Sequence, residues 1–337
     1  LVGSEMCIRD SIGRTVGMPS GRVPLQEPGK RIKNDAWTSI IPTTARGEIA
    51  AVTSTGRMVR INVMDLVVLD DSRGTPLLSS GVKVTELIKV NRGEHIVGLA
   101  PLNDIIALAT ERGVVKRVNP DYPLNADEWE GIKLKPHDAV VGVYPCGAND
   151  AQLSFVTEQA KLLTFDAAKV RPQGRTGSGI AGMKVAEDDR VIAFGVTVPG
   201  TEAVVVTVTD GSAVEGAVAT AKVSELTDFP AKGRATAGVR AHRFLAGESK
   251  LALAFVGEGP AKACTAAGIA RSLPTEFGPR DGSGVPLTQS IAAIGPAYTL
   301  TNTEITASSG SSPAEGSPGT SPAASPTEPT TQESPLF

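Results

Sequence analysis

An all-β fold of tandem blades closed into a propeller-like ring is the class this sequence predicts, and three observations carry it. First, a phrase of apolar strand, Thr, tight turn and second strand recurs: IAAVTSTGRMVRINVMDL (49–66), IIALATERGVVKRVNPDY (105–122) and LSFVTEQAKLLTFDAAKV (153–170). Thr53, Thr110 and Thr157 share one slot, with offsets of 57 and 47 residues, and a period near 50 marks one supersecondary unit per repeat. Second, an in-phase element of Arg, three residues, Gly and a β-branched residue separates the units: RTGSGI (175–180), RATAGV (234–239) and RDGSGV (280–285), with RGTPLLSSGV (73–82) as a stretched copy. Third, helical periodicity is scarce, and aromatic content is only 4%, so the core is expected to be Val, Ile, Leu and Ala.

Taken in chain order, the opening LVGSEMCIRDS (1–11) matches no pattern that continues into the body. It resembles the translation of a sequencing-library adapter and is expected to stand apart from the fold, with the chain then expected to be the C-terminal part of a longer protein. It is no signal peptide, because a basic n-region and a proper apolar h-region are missing. Residues 12–300 form the expected domain. Each unit is opened by a short run: SIIPTT at Ser39, HIVGLAPL at His95, AVVGVYP at Ala139, VIAFGVTV at Val191 and AHRFLAG at Ala241. With IGRTVG at Ile12 as the remnant of an earlier unit, the count is six four-stranded antiparallel blades, the first incomplete. Gly56 and Gly113 sit where the turns need positive φ. Residues 301–337, rich in Ser, Pro, Thr, Ala, Gly and Glu with no Lys or Arg, bury too little apolar area to offset chain entropy and are expected to be a disordered acidic tail.

The chain has 337 residues, 33 Lys+Arg and 36 Asp+Glu. Its slightly basic body permits an anionic partner without demanding one. Cys7, Cys146 and Cys264 have no paired spacing, and His95, His137 and His242 are scattered; this argues against a disulfide framework and a metal site. The acidic clusters Asp70–Asp71 and Glu187–Asp188–Asp189 fall in predicted turns and read as solvated charge. Basic residues recur at similar places of a closed array: Arg57 and Arg60, Lys116 and Arg117, and Lys161 after the turns; Arg171, Arg175, Lys184, Lys232, Arg234 and Arg240 between the blades; and Lys30, Arg31, Lys33 and Arg46 near the start. A ring of such residues neutralises phosphates and releases counterions without reading sequence. Single-strand binders stack bases on aromatic residues; here none sits in a repeated basic slot, so duplex DNA is the better match.

The phrases ERGVVKRV, KVRPQGRTGSGIAGMKV and KGRATAGVRAHRFL resemble the C-terminal domain of bacterial type IIA topoisomerase A subunits, the DNA gyrase and topoisomerase IV family, over about residues 12–297. The resemblance implies a β-pinwheel whose blades exchange strands and whose basic rim binds and bends double-stranded DNA beside a cleavage core. It implies an ATP-dependent isomerase holoenzyme, with a tyrosine nucleophile and magnesium in the A-subunit core and ATP hydrolysed by the B subunit. Its implied partners are that B subunit together with a second A subunit, in the bacterial cytoplasm at the nucleoid. Tyr122, Tyr144 and Tyr298 do not follow an arginine as the family's nucleophile does, so this segment is expected to be non-catalytic and to need no cofactor of its own. The gyrase members of the family carry a box close to QRRGGKG; the matching stretch here, MPSGRVPLQEPGKRIKNDAW (18–37), keeps Lys30, Arg31 and Lys33 but not the box. That departure favours relaxation and decatenation over supercoiling. Two other classes compete: a protein-interaction propeller, with apolar hot spots and salt-insensitive binding, and a sugar- or metal-dependent propeller enzyme, for which the converging carboxylates are missing.

Overall fold

The computed structural model describes residues 7–10, 36–44, 46–66, 83–211 and 218–296. Its strands, in chain order, begin with β1 (Cys7–Asp10), β2 (Ile40–Thr43), β3 (Glu48–Thr53), β4 (Arg57–Asn62), β5 (Ile96–Pro101), β6 (Ile106–Thr110) and β7 (Val114–Val118). Next come β8 (Glu128–Glu130), β9 (Val140–Pro145), β10 (Gln152–Thr157), β11 (Lys161–Asp166), β12 (Ile180–Ala181), β13 (Val191–Thr197) and β14 (Ala203–Thr209). The last are β15 (Thr220–Glu225), β16 (Val239–Arg240), β17 (Leu251–Glu258), β18 (Ala261–Cys264), β19 (Ala270–Arg271), β20 (Val285–Pro286) and β21 (Ala293–Pro296).

These strands build five antiparallel blades, ordered β5-β3-β4-β8, β9-β6-β7-β12, β13-β10-β11-β16, β17-β14-β15-β20 and β21-β18-β19. The outermost strand of each of the first four blades is supplied late. β8 of the first blade follows the β6–β7 hairpin of the second, and β12, β16 and β20 repeat the pattern. Successive blades therefore exchange strands as well as side-chain contacts.

The recurrent Thr sets the geometry of each hairpin. Gly56, Gly113 and Gly268 donate their N–H to the carbonyls of Thr53, Thr110 and Thr265 at 2.9, 2.9 and 2.8 Å. Each of these glycines has positive φ (80°, 76° and 73°); the third blade holds Ala160 at φ 55° in that slot. The hydroxyls of Thr110, Thr157 and Thr265 accept from the N–H four residues on, each at 3.2 Å. At Thr53, Thr110, Thr157 and Thr209 the pairing to the innermost strand shifts register. Thr209 and Thr265 thus extend the three-fold Thr repeat of the sequence to five.

The innermost strands β5, β9, β13, β17 and β21 pack in succession. The buried Trp37 closes the seam: a Cβ on Gly295 of β21 would collide with the Trp37 carbonyl, while the Ser39 hydroxyl accepts from Leu99 N–H of β5 at 3.0 Å. The core lies between blades. Ile106, Leu108 and Val140 meet Val52, Met58 and Trp129; Phe155, Phe165 and Phe194 meet Ala107, Ala109 and Val115; valines fill the later junctions.

Three sequence expectations change here. Five blades, not six, stand among the described residues. AHRFLAG opens no innermost strand; that role falls to β17, ten residues later. Cys7–Asp10, set apart as leader, is a strand paired parallel with β2. IGRTVG and the tail lie outside the described residues.

Candidate nucleic-acid interface

The exchanged strands place equivalent residues at the outer edge of successive blades. Opposite the first residues of β4, β7 and β11, the partners are Glu130, Ala181 and Arg240. Three positions further on stand Lys133, Lys184 and Arg243, all exposed. The main chain of each bonds to the next blade's Arg-containing loop: Lys133 N–H to Gly177 O, Lys184 N–H to Thr236 O and Arg243 N–H to Gly282 O, at 3.5, 3.0 and 3.0 Å. Those loops carry Arg175, Arg234 and Arg280, four residues before Gly179, Gly238 and Gly284.

Each of three consecutive blade junctions therefore carries one basic residue from each of the two main-chain-bonded segments: Lys133 and Arg175, Lys184 and Arg234, and Arg243 and Arg280. Among the described residues none of the six belongs to an ion pair. The Arg234 guanidinium donates to Ala181 O, tying its loop to the preceding blade. Lys161 and Arg240 lie directly opposite each other across β11 and β16, both exposed, and like charges in that relation repel unless an anion intervenes. Acidic residues stand close in sequence on these segments: Glu130 before Lys133, Glu187 and Asp188 after Lys184, and Asp281 after Arg280.

The sequence candidates divide. Arg46, Lys161, Arg171, Arg175, Lys184, Lys232 and Arg240 are exposed, and Arg234 is half-buried. Arg57 is engaged by Glu94 at 2.7 Å and Glu128 at 2.5 Å; its guanidinium, by hydrogen bonding, holds the Glu94 carboxyl well below the usual carboxylate range. Arg60 pairs with Glu48 and lies over the Trp129 ring at 5.2 Å. Arg31 and Lys33, with Lys30, lie outside the described residues.

Lys116 and Arg117 require correction. They are 0% and 1% exposed, which removes them from any surface a phosphate can reach. The Lys116 ammonium donates to Gly131 O and Arg175 O at 2.7 and 2.6 Å. The Arg117 guanidinium donates to Cys146 O, Ala167 O and Asn149 Oδ1 at 2.9, 3.3 and 3.2 Å. The consecutive basic pair read as surface because a strand residue and its neighbour face opposite ways; here both faces of β7 are covered by adjoining blades. Lys133, Arg243 and Arg280 join the rim although they are not among the sequence candidates. The register phrases GIKL, GMKV and AHRF carried that signal, since each places a basic residue three positions past the outer strand.

Neither tyrosine within the described residues is set up as a nucleophile. Tyr122 is buried against Trp129, 5.4 Å between ring centroids, and burial raises its hydroxyl pKa. Tyr144 packs on Phe194 and is pushed up to about 12 by burial. Among the described residues no cluster of His, Cys, Asp or Glu has the form of a metal site. Asp189, read from sequence as a solvated turn residue, is instead buried and accepts from Gln159 and Arg190 N–H at 3.0 and 2.8 Å. Among the described residues no helix is long and apolar enough to cross a membrane.

Residues 151–197 and 219–249, which hold the whole third blade together with β12 of the second and β15 of the fourth, match the family model of the DNA gyrase C-terminal domain, beta-propeller. The chain is 41% identical over 117 residues to "Topoisomerase subunit TopoM" of Mycolicibacterium smegmatis, covering 34% of this chain and 15% of that protein. It is 28% identical over 166 residues to the DNA gyrase A protein of Buchnera aphidicola, covering 47% and 18%. A solved C-terminal domain of DNA topoisomerase IV superposes with a TM-score of 0.61 at 21% identity, over 74% of this chain and 79% of that one. The resemblance noted in the sequence holds, and its relatives include type II topoisomerase subunits. The chain spans a quarter or less of the length of the curated relatives it matches.

Proposed function

We propose that this chain is the C-terminal domain of a type IIA topoisomerase A subunit, its basic arc holding and bending duplex DNA. The observation that carries the reading is the succession of Lys133/Arg175, Lys184/Arg234 and Arg243/Arg280 at three consecutive blade junctions. A curved row of cations outside any ion pair, on strand-locked loops, suits a phosphate backbone, gives affinity without base readout, and favours a bent path. Smooth bending of a short duplex costs on the order of 1–6 kcal/mol, which added phosphate contacts along the curve offset. The domain acts as a non-catalytic arm: the tyrosine, magnesium and ATP chemistry belong to a B subunit together with the rest of the A subunit. Residues 18–37 lack the gyrase-type box, which favours presenting DNA for relaxation or decatenation over wrapping it for supercoiling.

The test is a salt titration of duplex binding. The expected log Kd rises steeply with log salt. The triple variant K133E/K184E/R243E is expected to flatten that slope by roughly 3, about 0.9 per lost phosphate contact, before any added repulsion. Salt-insensitive binding would point instead to a protein-interaction scaffold.

A further inference from the structure

Lys116 and Lys222 occupy one structural slot. Lys116 lies opposite Leu108 and Lys222 opposite Thr207, each two residues before the turn-forming Thr110 or Thr209. Both are buried, at 0% and 3% exposure, and neither forms an ion pair among the described residues. Each spends its donors on main-chain carbonyls of the Arg-containing loop at the edge of its own blade. Lys116 Nζ bonds Arg175 O at 2.6 Å, and Gly131 O at 2.7 Å across the junction. Lys222 Nζ bonds Arg280 O at 2.6 Å and Pro279 O and Gly282 O at 3.0 Å.

The third blade is the internal control. Its residue in the same slot is Leu163, opposite Phe155, which has no donor. Its loop reads RATAG instead of R-x-G-S-G and closes on itself through the Thr236 hydroxyl to Gly233 O at 2.9 Å. There the Arg234 guanidinium is itself tied to Ala181 O. Where a lysine grips the loop from beneath, the arginine is released from holding the loop. Among the described residues the guanidiniums of Arg175 and Arg280 have no protein partner.

Resting on the duplex-binding reading above, we propose that Lys116 and Lys222 are positioning residues that fix the loops of Arg175 and Arg280 so that those two guanidiniums meet phosphates, while contacting no DNA themselves. A buried ammonium satisfied by two or three carbonyls holds a loop more tightly than a neutral donor, because charge-assisted bonds are the stronger class. The blade-three loop has no buried ammonium beneath it; besides its own Thr236 hydroxyl it is held by main-chain bonds to Gly182 and Lys184 and by the Arg234 guanidinium on Ala181 O.

Two double-mutant cycles on the full chain test this, with a fluorescein-labelled linear duplex of arbitrary sequence as probe. R175A is expected to lower the salt slope by about 0.9, the signature of one lost phosphate contact. K116M is expected to lower it equally, and K116M/R175A no further than R175A alone; K222M with R280A repeats the pattern. Hydrogen exchange on the same proteins is expected to rise in residues 174–179 for K116M and in 278–284 for K222M, each without the other. Additive losses within a cycle, or unchanged exchange in the gripped loop, would overturn the proposal. Should one methionine variant fail to fold, the other cycle still decides. If the unmodified chain shows no duplex binding, the duplex reading fails on its own, and the exchange experiment separately decides whether the lysines fix the loops.

Discussion

Charge reversal at Arg117 is expected to unfold the domain, not to weaken a DNA contact. The guanidinium is 1% exposed and its nearest acceptors are Cys146 O at 2.9 Å, Asn149 Oδ1 at 3.2 Å and Ala167 O at 3.3 Å. It pins β7 of the second blade to the β9–β10 connection (Cys146, Asn149) and to Ala167 beyond β11 of the third. A methionine keeps the volume but orphans the Cys146 carbonyl; losing a charged donor there costs about 2 kcal/mol, softened by no longer burying a cation. For a domain of this size that corresponds to a Tm lower by roughly 4–8 °C. A glutamate places an anion among carbonyl oxygens with no partner, costing at least ~5 kcal/mol, comparable with the whole stability of a typical domain. Thermal denaturation followed by far-UV circular dichroism reads both variants. The reasoning is refuted if R117E melts within about 2 °C of the unmodified protein and yet loses duplex affinity, since that combination requires a surface contact.

K133E/K184E/R243E is expected to keep its Tm within about 5 °C, because exposed substitutions seldom exceed about 0.5 kcal/mol each, while losing duplex affinity in the salt titration. Leu124 stands four residues before Glu128, in the slot that Arg175, Arg234 and Arg280 fill in later blades, and is 88% exposed; L124R is expected to steepen the salt slope by about 0.9, and an unchanged slope would place that edge of the first blade off the DNA path. Burial, with a smaller contribution from Lys222, lowers His242 to about 4. Its folded-state pKa lies below the unfolded one, so stability is expected to fall as pH drops from about 6.5 toward 4, by about 2 kcal/mol between pH 7 and 5. Urea titrations should show that loss reduced in H242N. The Glu94 carboxyl, held low chiefly by Arg57, adds a loss of the same sign once pH falls below the ordinary carboxylate range.

The hairpins were legible because their signal is local. The Thr slot, the glycine three residues later and the alternating apolar strand all act within a dozen residues. Blade membership was not, because β8, β12, β16 and β20 are two- or three-residue strands that lie beyond the next blade's hairpin in chain order. That exchange also decides which cations are outside. VVKRV looks like a half-exposed strand, yet Lys116 is covered by the 175–179 loop and Arg117 by residues 146–170. Conversely, Lys133 and Arg243 follow no turn and belong to no charge run. They became visible only when register aligned them with Lys184. R-x-G-S-G accompanies a buried lysine in the second and fourth blades, and R-A-T-A-G accompanies Leu163 in the third.

The most direct measurement places single cysteines at positions 133, 184 and 243, with a control at exposed Gln159, and crosslinks each to a backbone-reactive duplex. The account predicts crosslinks from all three rim positions, displaced along one duplex in blade order, and none from position 159. Crosslinks confined to the control, or rim crosslinks that fall in no consistent order along the duplex, would contradict it.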